Sequence, residues 1–152
     1  MRLVVQRVQR ASVDVGGECV AQIEQGVLLL IGIAPDDVDV DLRKAAGKIV
    51  DLRIFEDDAG KMNRSLRDIE GKVLAVSQFT LYGDTRKGRR PSFVGAAAPE
   101  IAEPLFDAFV DAIREQGVDV EAGWFGAKMA VELVNDGPVT LVIEVAPPSP
   151  VG

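Results

Sequence analysis

VLLLIGI, residues 27–33, is an unbroken apolar run enclosed by turn signals. Gln25-Gly26 stands before it, and Ala34-Pro35-Asp36-Asp37 breaks it. Such a run suits a strand buried on both faces. Upstream, Val13 and Val15 alternate with Ser12 and Asp14, and Gly16-Gly17 marks a hairpin turn from which residues 18–24 return. Downstream, Leu42, Ala45, Ala46, Ile49 and Val50 recur at helical spacing, with acids early and Arg43, Lys44 and Lys48 later. A short strand over 52–55 is expected to enter the turn DDAG at 57–60.

The second half repeats the pattern. Residues 72–81 read as a strong strand and 83–95 as a basic, turn-rich loop. Ile101, Leu105, Phe106, Phe109 and Ile113 form an apolar helical stripe from near Pro99 to a stop at Gly117. Pro104 is awkward inside a helix, so the regular part is expected to begin there. Val118 and Val120, then 129–134, then 139–145 read as strands, and PPSPVG closes the chain as a frayed tail. The expected fold is one α/β (α+β) domain over 1–146, mostly antiparallel, with two main helices and a tail over 147–152.

The chain has 152 residues and 16.3 kDa, the size of one domain. It has no histidine, which excludes a Ser-His-Asp triad, a Cys-His dyad and His-ligated zinc. Its one cysteine, Cys19, excludes an intrachain disulfide and a Cys-rich metal site, and reads as a small buried hydrophobe. No metal or cofactor is expected. Arg2, Arg7 and Arg10 interrupt the first apolar run, and no stretch is long enough to span a bilayer. The expected home is the cytoplasm, with no membrane partner.

The net charge of -7 argues against bulk binding to nucleic acid. The charge is uneven. Residues 1–13 carry a local +3, and 60–92 a local +5 from eight cations against three acids, leaving -15 on the rest. An acidic body with focused basic segments suits a partner held at a few phosphates. Random clustering on a solvated surface gives the same arithmetic.

Four segments could carry chemistry. In SQFTLYG (77–83), a strand would put Gln78 and Thr80 on one face and Ser77, Phe79 and Leu81 on the other. That polar pair is a reasonable site, although threonine is also simply a good strand former. NDGPVT (135–140) reads as a hairpin turn between two strands. In GDTRKGRRPSF (83–93), Arg86, Lys87, Arg89 and Arg90 could contact phosphate, or belong to a solvated loop. Trp124-Phe125-Gly126 fits a core or an aromatic face that stacks a terminal base.

Together with the opening MRLVVQRVQRASV, FEDDAGKMN and GWFGAKM, these segments occur in the order seen in the D-aminoacyl-tRNA deacylases, which the chain resembles from Met1 to about Val145. The resemblance implies a β-barrel-like sheet core, a homodimer, and an enzyme that hydrolyses the ester of D-aminoacyl-tRNA at the 3′-terminal adenosine. It also implies clearance of glycine misplaced on alanine tRNA. It implies that Gly137-Pro138 is cis and enters the partner subunit's active site, where its carbonyls reject an L side chain. Arg7 resembles the arginine that orients this motif. Ser77, Gln78, Phe79 and Thr80 match the catalytic pocket wall, with main-chain N–H groups near the ester, and Phe125 and Met129 match pocket or adenosine neighbours.

The missing histidine fits this chemistry. Preorganised backbone donors can stabilise an oxyanion, and the substrate's own ribose 2′-OH can orient or activate water. The same hydroxyl separates RNA from DNA, so no DNA partner is expected. A Thr80 nucleophile would need an adjacent base. The alternative is a non-catalytic RNA-binding module that uses the basic loop and the aromatics.

Overall fold

The structure, a computed structural model, describes residues 1–149. Of the tail expected over 147–152, residues 150–152 lie outside the described residues. Eight strands and two α-helices follow in the order β1 (Arg2–Val15), β2 (Glu18–Ile23), β3 (Gly26–Gly32), α1 (Leu42–Asp51), β4 (Phe55–Glu56), β5 (Met62–Arg64), β6 (Lys72–Ser77), α2 (Pro99–Glu115), β7 (Val120–Ala122) and β8 (Ala130–Glu144).

β1 organises the main sheet. Its first half pairs antiparallel with β3, its second half with β2, and its opposite edge with β8 along nearly its whole length. The resulting sheet curls into a nearly closed, barrel-like form. It is mixed rather than mostly antiparallel, because β3 pairs β6 and β6 pairs β7 in parallel. The connections explain this. The path from β3 to β6 includes α1, and the path from β6 to β7 includes α2. Such crossovers carry the chain back to the opposite end of the sheet, so the next strand runs parallel to the last.

The VLLLIGI run is buried on both faces as expected. Val27, Leu29 and Ile31 face a large core shared with α1 and α2, while Leu28 enters a second core with Val8, Val13, Leu74 and Val76. Ala45, Ala46, Ile49 and Val50 on α1, and Phe106, Phe109 and Ile113 on α2, cover the first face. Asp41 caps α1 by accepting from the Lys44 N–H at 3.0 Å.

Four local expectations need correction. Pro104 lies inside α2, which starts at Pro99, because tertiary packing of the apolar stripe outweighs one lost backbone bond. The strand expected over 52–55 is displaced to Phe55–Glu56. Cys19 is exposed rather than buried, since it lies on β2 just after the hairpin turn. The strand over 72–81 stops at Ser77, as described below.

A 3₁₀ turn, Pro35–Asp39, buries the carboxylate of Asp37. It accepts from the Met1 ammonium at 2.6 Å and from the Ala34 N–H at 2.7 Å. Removing this carboxylate leaves the Ala34 N–H unmet and the buried Met1 ammonium with only the Val145 carbonyl and no counter-charge, so Asp37→Ala should cost about 3–5 kcal/mol in urea unfolding. The exposed neighbour Asp36 gives the control, and Asp36→Ala should stay within about 0.5 kcal/mol.

Candidate active site

β6 ends where its partner ends. The Gln78 N–H makes the last bond, to the Ile31 carbonyl at 2.8 Å, and the chain then tightens into a 3₁₀ turn over Phe79–Tyr82. Gln78 and Thr80 therefore do not share a strand face. Their side chains meet directly instead, with the Gln78 amide donating to the Thr80 hydroxyl oxygen at 2.7 Å. Phe79 and Thr80 begin the turn, so their N–H groups have no earlier turn carbonyl to bond. No other backbone or side-chain acceptor meets those two donors among the described residues.

Beside this turn opens a cavity of about 430 Å³. Ser77, Phe79, Phe125 and Met129 all line it, so four of the expected site residues come together. Gln78 and Thr80 adjoin it on the turn without lining it. The remaining wall is Ile33, Phe93, Ala96, Ala97, Pro99, Ala102, Gly126 and Ala127. None of these was expected as a site residue, although Ile33, Phe93, Gly126 and Ala127 lie inside the segments VLLLIGI, GDTRKGRRPSF and GWFGAKM. Phe79 and Phe93 meet edge to face with ring centroids 5.1 Å apart. Four small alanines leave the void, which is mainly apolar. Trp124 is exposed and does not line it, whereas Phe125 turns inward toward Phe106.

NDGPVT is not a hairpin turn. β8 continues through it, with Asn135 opposite Val8 and Thr140 opposite Gln6. Four residues, 136–139, therefore stand against Arg7 alone and bulge from the strand. The Asn135 carboxamide stabilises the bulge. Its oxygen accepts from the Val139 N–H at 2.9 Å, and its nitrogen donates to the Thr140 hydroxyl at 2.9 Å. The Gly137-Pro138 peptide is cis. Arg7 is buried to 5 % exposure beneath it, donating from Nε to the Asp136 carbonyl at 2.9 Å and from Nη1 to the Ile54 carbonyl at 2.8 Å. Gly137 has φ +131°, and a Cβ there would lie 3.0 Å from Arg7 Nη2 and from Val139 Cγ2. Gly137 and Pro138 are exposed and do not line the cavity of their own chain.

The basic loop is closed by paired backbone bonds between Asp84 and Ser92 at 2.7 and 2.8 Å. Arg86 turns back onto Asp84, which holds that carboxyl below the usual carboxylate range and raises the guanidinium in turn. Lys87, Arg89 and Arg90 are exposed and form no ion pair among the described residues. Tyr82 is pushed up to about 12, by burial first and then by the charges of Asp37 and Glu144. It stays a neutral phenol near pH 7 and cannot act as a phenolate base. No group of three metal-ligating side chains converges among the described residues.

A basic loop, an apolar cavity and two open backbone donors fit a class of hydrolase that needs no histidine. The family model for "D-Tyr-tRNA(Tyr) deacylase" matches residues 4–144. D-aminoacyl-tRNA deacylases of Bacillus cereus and Brevibacillus brevis are each 58% identical over 144 residues, covering 95% of this chain and 99% of theirs. A solved structure titled "c-Myc DNA Unwinding Element Binding Protein" aligns with TM-score 0.88 at 41% identity, over 96% of this chain and 99% of that one. A "probable eukaryotic D-amino acid tRNA deacylase" shares the fold, with TM-score 0.79 at 23% identity. The chain belongs to the D-Tyr-tRNA(Tyr) deacylase family, and its enzyme class is D-aminoacyl-tRNA deacylase, a hydrolase. No helix among the described residues is long and apolar enough to cross a membrane.

Arg7→Ala removes two hydrogen bonds from a charged donor and should cost about 3 kcal/mol or more in urea unfolding. Gly137→Ala forces a side chain into a left-handed position against Arg7 and should cost about 1–3 kcal/mol. Arg10 is exposed on the same strand, and Arg10→Ala should stay within about 0.5 kcal/mol.

Proposed function

We propose that the protein hydrolyses the ester between a D-amino acid and the 3′-terminal adenosine of tRNA, clears glycine misplaced on alanine tRNA, and spares L-aminoacyl-tRNA. The terminal adenosine and its ester occupy the cavity beside Ser77–Thr80, with Phe125 and Met129 as neighbours. Lys87, Arg89 and Arg90 meet acceptor-end phosphates, while Arg86 shapes the loop through Asp84. The substrate places this activity in the cytoplasm.

One observation carries the reading of stereochemistry. Gly137-Pro138 stands on a supported bulge, exposed, and away from the cavity of its own chain. A filter that acts in such a cavity must then come from a second copy. Edge strand β8 presents exposed Val131, Leu141 and Val142, apolar surface that suits a two-fold contact between copies. In the homodimer each subunit's bulge closes the other's cavity. Backbone atoms there occupy the space of an L side chain, whereas a D side chain points outward. A filter of exclusion cannot reject glycine, which has no side chain. Loosening it through Arg7 admits L-alanine first, because a methyl group is the smallest side chain.

The chemistry follows from the donors present. The Phe79 and Thr80 N–H groups are free to receive a developing oxyanion. The Thr80 hydroxyl has an amide donor, Gln78, at its oxygen, and an amide cannot take its proton. Water activation therefore falls to the substrate's 2′-OH.

Release of amino acid from purified charged tRNAs tests this. D-alanyl-tRNA and glycyl-tRNA should be hydrolysed and L-alanyl-tRNA spared, with competitor DNA having no effect. A substrate ending in 2′-deoxyadenosine should react about 100-fold more slowly or worse, the scale of a lost acid–base group. Thr80→Ala should stay within about tenfold of wild type. An inactive, normally folded Thr80→Ala together with normal hydrolysis of the deoxy substrate would transfer the chemistry to Thr80. Inert glycyl-tRNA with strong preference among D side chains would defeat the exclusion filter.

A further inference from the structure

We propose that Arg2 is a positioning residue for this reaction, holding the far end of the Phe79–Tyr82 turn so that its backbone keeps a fixed place beside the cavity. The inference rests on the ester lying against that turn. The near end of the turn is fixed by the sheet, through the Gln78 N–H on the Ile31 carbonyl. Beyond it, the turn's own bonds are local, Leu81 N–H to the Gln78 carbonyl at 3.3 Å and Gly83 N–H to the Thr80 carbonyl at 2.9 Å. Local bonds keep a turn's shape but do not fix it against the rest of the molecule.

Arg2 supplies the second anchor. Its Nη1 donates to the Leu81 carbonyl at 2.6 Å, and no other side chain donates to a carbonyl of the turn among the described residues. Its guanidinium carbon lies 4.8 Å from the centroid of the Tyr82 ring. Its Nε meets the Glu144 carboxylate at 2.5 Å. One planar group thus grips two consecutive residues of the turn while a carboxylate holds it from behind.

Cross-strand register explains how Arg2 reaches there. Arg2 stands opposite Gly32 on β3 and Glu144 on β8. A Cβ on Gly32 would lie 3.0 Å from Leu81 Cβ, 3.3 Å from the Gln78 carbonyl oxygen and 3.3 Å from Tyr82 Cε2. The turn therefore rests directly on β3, and Arg2 crosses the bare backbone of Gly32 to close over it. Arg2 does not line the cavity, so it acts through the turn. Lysine cannot replace it, because a single ammonium lacks the planar fork that meets a carbonyl and a carboxylate at fixed angles while its carbon lies over a ring. Displacing a reacting group by an ångström can cost about 100-fold in rate.

The test compares kcat, KM and thermal unfolding for wild type, Arg2→Ala, Arg2→Lys and Glu144→Gln on D-alanyl-tRNA. Arg2→Ala should lower kcat by about 10–100-fold with KM within about twofold, and Arg2→Lys should not restore it. Glu144→Gln keeps the Leu81 and Tyr82 contacts and should stay within about threefold. If Arg2→Ala does not fold, Arg2→Lys carries the same expectation of a kcat loss at constant KM. Gly32→Ala, which pushes the turn from beneath, should lower kcat in the same way. Wild-type kcat in folded Arg2→Ala would overturn the proposal. A loss confined to KM would make Arg2 a tRNA contact, and full activity in Arg2→Lys would make its charge sufficient; either result overturns the proposal. Wild-type protein that releases no D-alanine would instead sink the functional reading on which it rests.

Discussion

The guanidinium of Arg7 is buried, and it joins two carbonyls far apart in the chain, those of Ile54 and Asp136. A buried cation must find acceptors, and each one Arg7 finds fixes a separate element. Ile54 leads into the β4–β5 pair, and Asp136 begins the bulge that carries Gly137-Pro138. Glu56 and Asp136 carboxylates stand 4.0 and 3.5 Å from the same group, which offsets its charge. Gly137 completes the fit, because any side chain there would press on the guanidinium. The bulge is therefore a rigid projection, and a rigid projection can exclude by shape.

In the proposed reaction, support of this kind takes the place of side-chain catalysis. The chain has no histidine, its one well-placed phenol stays protonated, and the Thr80 hydroxyl lacks a base. What it has is backbone held in unusual places: a turn clamped by Arg2, and a bulge clamped by Arg7. In the hydrolysis proposed above the aminoacyl ester is already activated, and the work left is given to positioned amide donors and a substrate hydroxyl. Arginine performs both clamping tasks because its planar fork can serve several acceptors at fixed angles.

Much of this was legible in the sequence, for reasons that vary with the residue. Burial of VLLLIGI on both faces is written in its composition, and so is the amphipathic spacing of α1 and α2. The parallel pairing of β3 with β6 was not, because connections across a sheet are not encoded in any one strand. NDGPVT misled because asparagine, aspartate, glycine and proline favour a hairpin and a bulge alike; the difference lies in β1, long enough to pair on both sides of the motif. SQFTL was read as strand because threonine and phenylalanine favour one, but the pairing stops with Gln78. The residues themselves point to the segments holding Ser77, Phe79 and Phe125, whereas Met129 and the site roles of all four come from the resemblance. Ala96, Ala97, Ala102 and Ala127 were not named, since a cavity is made by side chains that are small.

The central claim is that one subunit's bulge filters substrates in the other's cavity, and mixed dimers test it directly. One subunit carries Ala127→Phe, which fills the cavity and leaves the bulge intact. The other carries Arg7→Lys, which loosens the bulge and leaves the cavity open. Dimers bearing one of each, isolated by two affinity tags, are assayed on D-alanyl-tRNA and L-alanyl-tRNA. The account predicts that the Arg7→Lys homodimer hydrolyses both, whereas the mixed dimer hydrolyses only the D substrate, because its one open cavity faces an intact bulge. Mixed dimers that still hydrolyse L-alanyl-tRNA as the Arg7→Lys homodimer does would show a filter acting within its own subunit, and would contradict the account.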